Sequence, residues 1–275
     1  MKNNFSLIRL WNYLNIYFLK PIDAVNDTIT SDLLLKFNWE KKYLEVGSGD
    51  GMFSYIMHGN SFPIWFDRYI NTNLKNKNIF EVNYNFFPKF KKRYYKIYPN
   101  ISIDSKKHHI NSINKIKFSR KTINANYEQF KYKRESENLI FFYTPHGLKS
   151  YSKSIHNISP ILKKKGRLLV LLNLEKVKEC FICYNLKKKT KGKIKIFFSK
   201  LDNGRFNETK KISNTFNNWV RLFKKNQLKI KDYYTGLTPF TWRIYDIQTR
   251  PILKNLIKFF NFFSIFPRTL LKLIW

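Results

Sequence analysis

Residues 43–51 read YLEVGSGDG and place three glycines within five positions, although the whole chain of 275 residues contains only nine. The apolar residues before the glycines predict a buried strand, and MFSYIM at 52–57 has the apolar spacing of a helix. A strand, a glycine turn and a helix form half of a βαβ unit. Such a turn lies at the carboxyl end of the sheet, where α/β proteins bind ligands.

Each glycine of this loop has an expected role. Gly47 permits a tight turn, Gly49 lets the backbone approach a ligand, and Gly51 lets the following helix begin close to the strand. The loop reads GxGxG. It therefore lacks the GxGxxG spacing of pyrophosphate loops and the GxxxxGK[ST] pattern of phosphate-binding P-loops.

Strands and helices alternate after the loop. Strand candidates cover 101–104, 121–127, 138–144 and 167–174, with helix candidates between them. This alternation predicts an α/β fold with a doubly wound, mostly parallel sheet and helices on both faces.

Glu45 and the glycines at 47, 49 and 51 resemble the first motif of class I S-adenosylmethionine-dependent methyltransferases, type 11-like members among them. The resemblance implies a Rossmann-like, seven-stranded sheet, S-adenosylmethionine as the cofactor, and further contacts from Ser48 and Asp50. Residues 161–172 resemble the family's entry into strand five, with Lys165 where a glycine is usual. Residues 214–234 resemble a later helix and the sixth strand.

The resemblance also implies three parts. Residues 1–40 would form N-terminal helices, 41–236 the methyltransferase-like domain, and 237–275 a basic, apolar, helical tail. Two segments fit the alternation less well, near 62–98 and 184–215, and are interpreted as insertions.

The family places an acid at the end of the second strand for the ribose, and a polar side chain after the third strand for the adenine. Asp104 and Asn126, 22 residues apart, fit these roles. Asp67 is the alternative ribose ligand, because it follows Gly51 by 16 residues, the family's usual interval. Asp104 requires a long insertion, but the later spacings all fit it, so we favour Asp104. Asp67 could instead form a surface salt bridge with Arg68 or a neighbouring lysine.

The loop after the fourth strand borders the methyl group in this family. His146 would serve there as a general base for a hydroxyl acceptor, since a neutral imidazole accepts protons near pH 7. Tyr143 would shape the cofactor site. Residues 240–257 resemble a tail of methyltransferases from surface-polysaccharide gene clusters, which favours a saccharide or small-metabolite acceptor. A non-catalytic binding protein on the same fold is an alternative.

The chain carries a formal net charge of +34. Such charge favours nucleic acid or an anionic membrane as a partner, so an RNA methyltransferase is a second alternative, although an AT-rich genome would also enrich lysine. No signal peptide or bilayer-spanning run is found, which predicts a cytoplasmic protein. The tail 237–275 would contact the inner membrane or a lipid-linked acceptor, or dock on the protein's own core. Cys180 and Cys183 are too few for a structural zinc site, and no metal is expected.

Overall fold

The structure is a computed structural model that describes residues 6–69, 87–91, 94–143, 150–202, 205–248, 253–262 and 272. It begins with two helices, α1 (Leu7–Ile16) and α2 (Pro21–Leu34). The hydroxyl of Ser6 caps α1 by accepting a hydrogen bond from the Arg9 amide at 3.2 Å. Pro21 opens α2, where no amide hydrogen is needed.

Five parallel strands form the main sheet: β1 (Lys42–Val46), β2 (Tyr98–Asp104), β3 (Lys121–Asn124), β4 (Glu137–Phe142) and β5 (Leu162–Val170). Their order across the sheet is β3-β2-β1-β4-β5. The chain therefore winds outward in both directions from β1, as in doubly wound ligand-binding folds. The predicted parallel α/β architecture is confirmed.

Helices cover both faces of this sheet. α3 (Met52–Met57) follows β1, α4 (Lys107–Ile116) follows β2, and α5 (Tyr151–Ile158) follows β4. Alternate strand residues enter two separate apolar clusters. The first contains Tyr43, Leu139 and Phe141 with residues of α1 to α3, and the second contains Leu44, Val46, Ile140 and Phe142 with residues of α5. This alternation is expected of strands buried on both sides.

β5 contains an irregularity at the position where Lys165 replaces the glycine expected from the resemblance. Lys165 adopts φ +70°, a left-handed conformation that glycine favours. A Cβ on the next residue, Gly166, would lie 2.9 Å from the Lys163 carbonyl oxygen and 3.1 Å from that of Glu137. Glycine is thus required at 166, whereas the lysine at 165 is accommodated with strain.

The predicted seven-stranded sheet is not confirmed. In the described ranges, the main sheet has five strands, and β6 (Asn173–Leu174) pairs separately with β7 (Ser213–Asn214). The expected later helix exists as α9 (Phe216–Lys225), but residues 228–234 are irregular where a sixth strand was expected. Leu228 and Ile230 pack against the second apolar cluster from this irregular segment. These two side chains are therefore buried by packing alone, although they alternate with lysines as the residues of a strand would.

The segment 184–215, expected as a polar insertion, is largely helical. It contains most of α6 (Ile182–Lys189), α7 (Gly192–Asp202) and α8 (Arg205–Ile212). Of the segment 62–98, the described part is mainly irregular and buries aromatic side chains: Phe62, Phe66 and Phe87 contact one another with ring centroids 5.0 to 6.4 Å apart.

The tail contains α10 (Pro239–Ile247) and α11 (Leu253–Phe262). Leu253 and Ile257 of α11 are buried in the first apolar cluster, and the Phe260 ring meets Phe18 edge-on at 6.1 Å. The described part of α11 is therefore docked on the protein's own core. None of the helices in the described part is long and apolar enough to cross a membrane.

Candidate functional site

All three loop glycines adopt positive φ values: +73° at Gly47, +57° at Gly49 and +81° at Gly51. Side chains strain such a backbone, so the sequence of the loop follows from its conformation. The amides of Gly47 and Ser48 both donate to the carbonyl oxygen of Ile103, at 2.9 and 3.1 Å. The loop after β1 therefore turns tightly and binds the end of β2.

Gly49 and Gly51 have different surroundings. A Cβ built on Gly49 would meet no atom within 4 Å, so this part of the loop faces open space, as a ligand-binding surface must. A Cβ on Gly51 would lie 3.0 Å from Cγ1 of Ile113 in α4. Gly51 thus allows close packing, as predicted, but against α4 as well as at the start of α3.

Asp104, the last residue of β2, holds the loop. Its Oδ2 accepts a hydrogen bond from the Gly49 amide at 3.0 Å. Its Oδ1 accepts from the Lys106 amide at 2.8 Å and lies 3.0 Å from Nδ1 of His109. A carboxylate has about four acceptor positions. These contacts leave Oδ2 one position, beside the loop, for a hydroxyl group.

Glu45 lies inside the protein, with only 2% of its surface exposed. Its carboxylate accepts hydrogen bonds from the hydroxyls of Ser54 in α3 and Ser102 in β2. Burial raises the pKa of Glu45 to about 7, and the Asp104 carboxylate adds to this rise while the two serines oppose it. Glu45 therefore joins β1 to its neighbours from within the core.

Asp50 joins the loop to the segment after α3. Its Oδ1 accepts from the Met52 amide at 3.2 Å, and its Oδ2 forms a 2.6 Å ion pair with Nη2 of Arg68. Burial alone would lower the pKa of Arg68, but Asp50, Tyr17, Tyr69 and Asp23 together outweigh it, so the net shift is upward. Arg68 also lies over the Tyr17 ring, 5.6 Å from its centroid. The sequence analysis missed this pair because it is not local.

Asp67 is fully buried, in the irregular segment that follows α3. Its Oδ1 accepts from the Tyr69 amide at 2.7 Å. The surface salt bridge between Asp67 and Arg68 is wrong as an alternative, because Asp67 is buried and Arg68 pairs with Asp50. Asp104 contacts the glycine loop directly, whereas Asp67 is next to Arg68, which pairs with Asp50 of the loop.

Asn126 follows the third strand later than predicted, because β3 ends at Asn124. The side chain of Asn126 is exposed, and its Oδ1 accepts from the Glu128 amide at 2.9 Å, which stabilises a turn. Asn124, which the sequence analysis missed, donates from Nδ2 to the Asp104 carbonyl oxygen at 2.9 Å. Asn124, rather than Asn126, is therefore the polar residue at the end of β3.

Tyr143 directly follows β4, and its amide donates to the Val46 carbonyl oxygen at 3.0 Å. Its ring stacks on Phe53 of α3 with a centroid distance of 4.5 Å. Tyr143 is thus next to the end of β1, where the glycine loop begins. The predicted base, His146, lies outside the described residues.

An acidic group from the N-terminal helices reaches this region. Burial raises the pKa of Asp27 in α2 to about 8, and the neighbouring Asp23 adds to the rise, whereas a hydrogen bond with Tyr17 lowers it. Asp27 in turn helps raise the pKa of Tyr143, after burial. Asp27 is therefore within electrostatic reach of the end of β4. The sequence analysis missed Asp27; its signal was the spacing of Asp23 and Asp27, which lie one helical turn apart in α2.

The strand order and the glycine loop together define a doubly wound α/β protein whose binding edge lies at the carboxyl ends of β1, β2 and β4. Within this edge, the described atoms join the loop to Asp104 and place Tyr143 beside the end of β1.

No model of a protein family matches the sequence, and no curated protein matches it. Among solved structures, YcgJ protein from Bacillus subtilis shares 13% identity and a TM-score of 0.45, over 83% of this chain and 81% of that one. A SAM-dependent methyltransferase from Thermotoga maritima shares 14% identity and a TM-score of 0.43, over 80% and 72%. The plantazolicin methyltransferase BpumL, solved with SAH, shares 14% identity and a TM-score of 0.43, over 90% and 82%. These TM-scores are all below 0.5, so the likeness assigns no function to this chain.

Proposed function

We propose that this protein is an S-adenosylmethionine-dependent methyltransferase that acts on an oxygen of a small-molecule or saccharide acceptor. The observation that carries the proposal is the glycine loop, folded through three positive φ angles and bound to the carboxylate that ends β2. This arrangement offers bare backbone and a hydroxyl-binding acid side by side. A nucleoside ligand without phosphates requires both.

The residues present fit such a ligand. Gly49 leaves the loop surface open, and the remaining acceptor position of Asp104 suits a ribose hydroxyl. Asn124 holds the end of β3 against Asp104. For the adenine we propose the turn at Asn126, where Oδ1 already accepts one hydrogen bond and has a second lone pair. Asp67 supports the segment that carries Arg68.

When bound, the cofactor supplies a methyl group activated by a positively charged sulfur. The protein's main contribution to an in-line transfer is alignment of the acceptor oxygen. The ring pair of Tyr143 and Phe53 would form one wall at the end of β4. A hydroxyl acceptor must also lose a proton to a base. His146 remains the base predicted from the sequence. Among the described acids, Asp27 has the largest electrostatic effect on Tyr143 and is the second candidate.

The saccharide acceptor rests on the resemblance of 240–257 to tails of surface-polysaccharide methyltransferases. An RNA acceptor would instead rest on the net charge of +34. We favour the small acceptor because the groups that act electrostatically on Tyr143 include Asp27, Asp23 and Tyr13, none of which supplies the positive charge that binds RNA phosphates. Methyl transfer to RNA, measured with radiolabelled cofactor, would overturn this preference.

Calorimetry with S-adenosylmethionine and S-adenosylhomocysteine tests the cofactor, using Gly49→Ala and Gly59→Ala as a matched pair. Both glycines have positive φ values, +57° and +86°, and a Cβ on either meets no atom within 4 Å. Both variants therefore incur a similar backbone cost of about 1–2 kcal/mol. Only Gly49→Ala places a methyl group on the loop surface.

We expect the wild-type protein and Gly49→Ala to differ by at least roughly tenfold in cofactor affinity, because the added methyl keeps the ligand from the backbone. Gly59→Ala should bind like the wild type. Absence of binding by the wild-type protein, or equal weakening in both variants, would refute the proposed cofactor site.

A further inference from the structure

A second surface of the molecule combines strong positive charge with exposed apolar side chains. We call it the lysine hairpin; it consists of α6, α7 and the turn at 190–191. The hairpin contains one acid, Asp202 at the end of α7, and seven lysines: Lys187, Lys188, Lys189, Lys191, Lys193, Lys195 and Lys200. Its formal charge is therefore +6, from seven cations and one anion.

The apolar residues of α7 form one stripe. Ile194, Phe197, Phe198 and Leu201 have the i, i+3, i+4, i+7 spacing of a single helix face. Phe198 and Leu201 are half-buried against the protein, whereas Ile194 is 58% exposed and Phe197 55% exposed. The stripe is thus covered by the protein at one end and exposed to solvent at the other. A lysine-rich helix that only faced water would not require these exposed apolar side chains.

The hairpin is held firmly at its base. The amide of Cys183 in α6 donates to Oδ2 of Asp246 in α10 at 3.0 Å, and the rings of Tyr184 and Phe206 stack at 3.4 Å. Phe181 adds an edge-on contact with Phe206 at 6.1 Å. These contacts fix α6 to α8 and α10, while every residue from 191 to 197 is exposed.

We propose that the lysine hairpin docks the protein on an anionic lipid surface. Ile194 and Phe197 would enter the boundary between headgroups and acyl chains, and the surrounding lysines would meet the lipid phosphates. Interfacial helices combine these two features, an apolar face and lysines beside it. Each lysine near an anionic membrane strengthens binding roughly fivefold. The docking does not depend on methyl transfer, and it moves the predicted membrane contact from the tail to the hairpin.

Lipid fits the exposed side chains better than nucleic acid does. Single-stranded nucleic acid is bound by aromatic rings on which bases stack. Phe197 has a ring, but Ile194 and the nearby Ile196, which is 56% exposed, have none, so successive bases would lack a row of rings on which to stack. The hairpin's only tyrosine, Tyr184, is already stacked on Phe206. Aliphatic residues surrounded by lysines match a membrane interface.

The experiment is flotation of the full chain with vesicles of phosphatidylcholine alone and with vesicles that also contain phosphatidylglycerol. We expect binding only to the anionic vesicles, and weaker binding as salt is added. The double variant Ile194→Ser, Phe197→Ser keeps the charge, and it should bind at least roughly tenfold more weakly because it loses two inserted side chains. Lys193→Gln with Lys195→Gln should weaken binding by roughly 25-fold, fivefold for each lysine.

Phe259→Ser is the matched control. Phe259 in α11 is 58% exposed, close to the value for Phe197, and belongs to the tail. This variant should float like the wild type. Circular dichroism and the melting temperature of each variant verify that it is folded. The proposal is refuted if the wild-type protein does not bind anionic vesicles at low salt, if Phe259→Ser alone abolishes binding, or if an RNA oligonucleotide binds while the vesicles do not.

Discussion

The backbone amide of Gly49 donates a hydrogen bond to Oδ2 of Asp104 at 3.0 Å. This contact joins the loop after β1 to the end of β2 across 55 residues of sequence. The same carboxylate that shapes the loop keeps one acceptor position on Oδ2 for a ligand hydroxyl. Ligand affinity and loop conformation therefore depend on one side chain.

Asp104→Asn should weaken binding of S-adenosylhomocysteine by roughly tenfold to a hundredfold, because hydrogen bonds to a charged acceptor contribute about 1.5–3 kcal/mol. The amide keeps the volume of the carboxyl but loses its charge and one acceptor oxygen. Calorimetry measures the change. Asp67→Asn is the comparison, since Asp67 is buried and accepts a hydrogen bond from the Tyr69 amide, so this substitution should lower stability more than affinity. If Asp67→Asn weakened the binding of S-adenosylhomocysteine more than Asp104→Asn did, Asp67 would be identified as the ribose ligand.

The ion pair between Arg68 and Asp50 supports the loop from its other side. Arg68→Met leaves the Asp50 carboxylate buried and uncompensated, which costs about 3–5 kcal/mol of unfolding free energy. Adding Asp50→Asn should restore a large part of that loss, because the unpaired charge is removed. Urea unfolding of both single variants and the double variant measures the coupling. Losses that simply add would show that the two side chains do not interact.

Glu45 should make the protein less stable as the pH rises from about 4.5 to about 7. Its pKa is raised to about 7 in the folded state, so the folded protein binds more protons than the unfolded chain in this window. The loss is at most about 1.4 kcal/mol per pH unit. Glu45→Gln resembles the protonated acid and should remove this slope, as seen in denaturant unfolding at several pH values. An unchanged slope in the variant would contradict the assignment.

The sequence predicted the parts of the fold that short-range rules determine. The glycines of the loop and Gly166 occupy backbone conformations or close contacts that exclude other residues, so their positions predict the turns. Apolar runs such as 138–144 predicted buried strands because β4 is covered on both faces. These features depend on neighbours in the sequence or on simple burial.

The rest depends on tertiary contacts that no local pattern specifies. Arg68 lies beside Asp67 in the sequence, yet it pairs with Asp50 because the fold brings the segment after α3 over the loop. Leu228 and Ile230 alternate with lysines as in a strand, but their burial is achieved by packing alone. Asn126 has the expected spacing, whereas the strand ends earlier, at Asn124. In each case the local sequence is compatible with more than one tertiary contact, and only the fold determines which contact forms.

Asp27 provides a test of the region where the N-terminal helices meet the end of β4. Burial and the nearby Asp23 raise the pKa of Asp27 from its ordinary 3.8 to about 8. The sign is the same as for Glu45: stability should fall as the pH rises from about 4 to about 8, and be constant on either side. Asp27→Asn should remove this decline and be more stable than the wild type at pH 8, by thermal or urea unfolding.

Two further measurements separate a titrating group from a merely structural one. Carbon NMR of labelled aspartate should show one carboxyl that titrates near pH 8, and this signal should be missing in Asp27→Asn. Asp23→Asn should lower that pKa, because Asp23 is the second cause of the shift after burial. If Asp27 also accepts the acceptor's proton, turnover should rise with pH through the same value and become independent of it in Asp27→Asn. If the Asp27 carboxyl itself titrates near pH 4 in the wild-type protein, this role for Asp27 is ruled out.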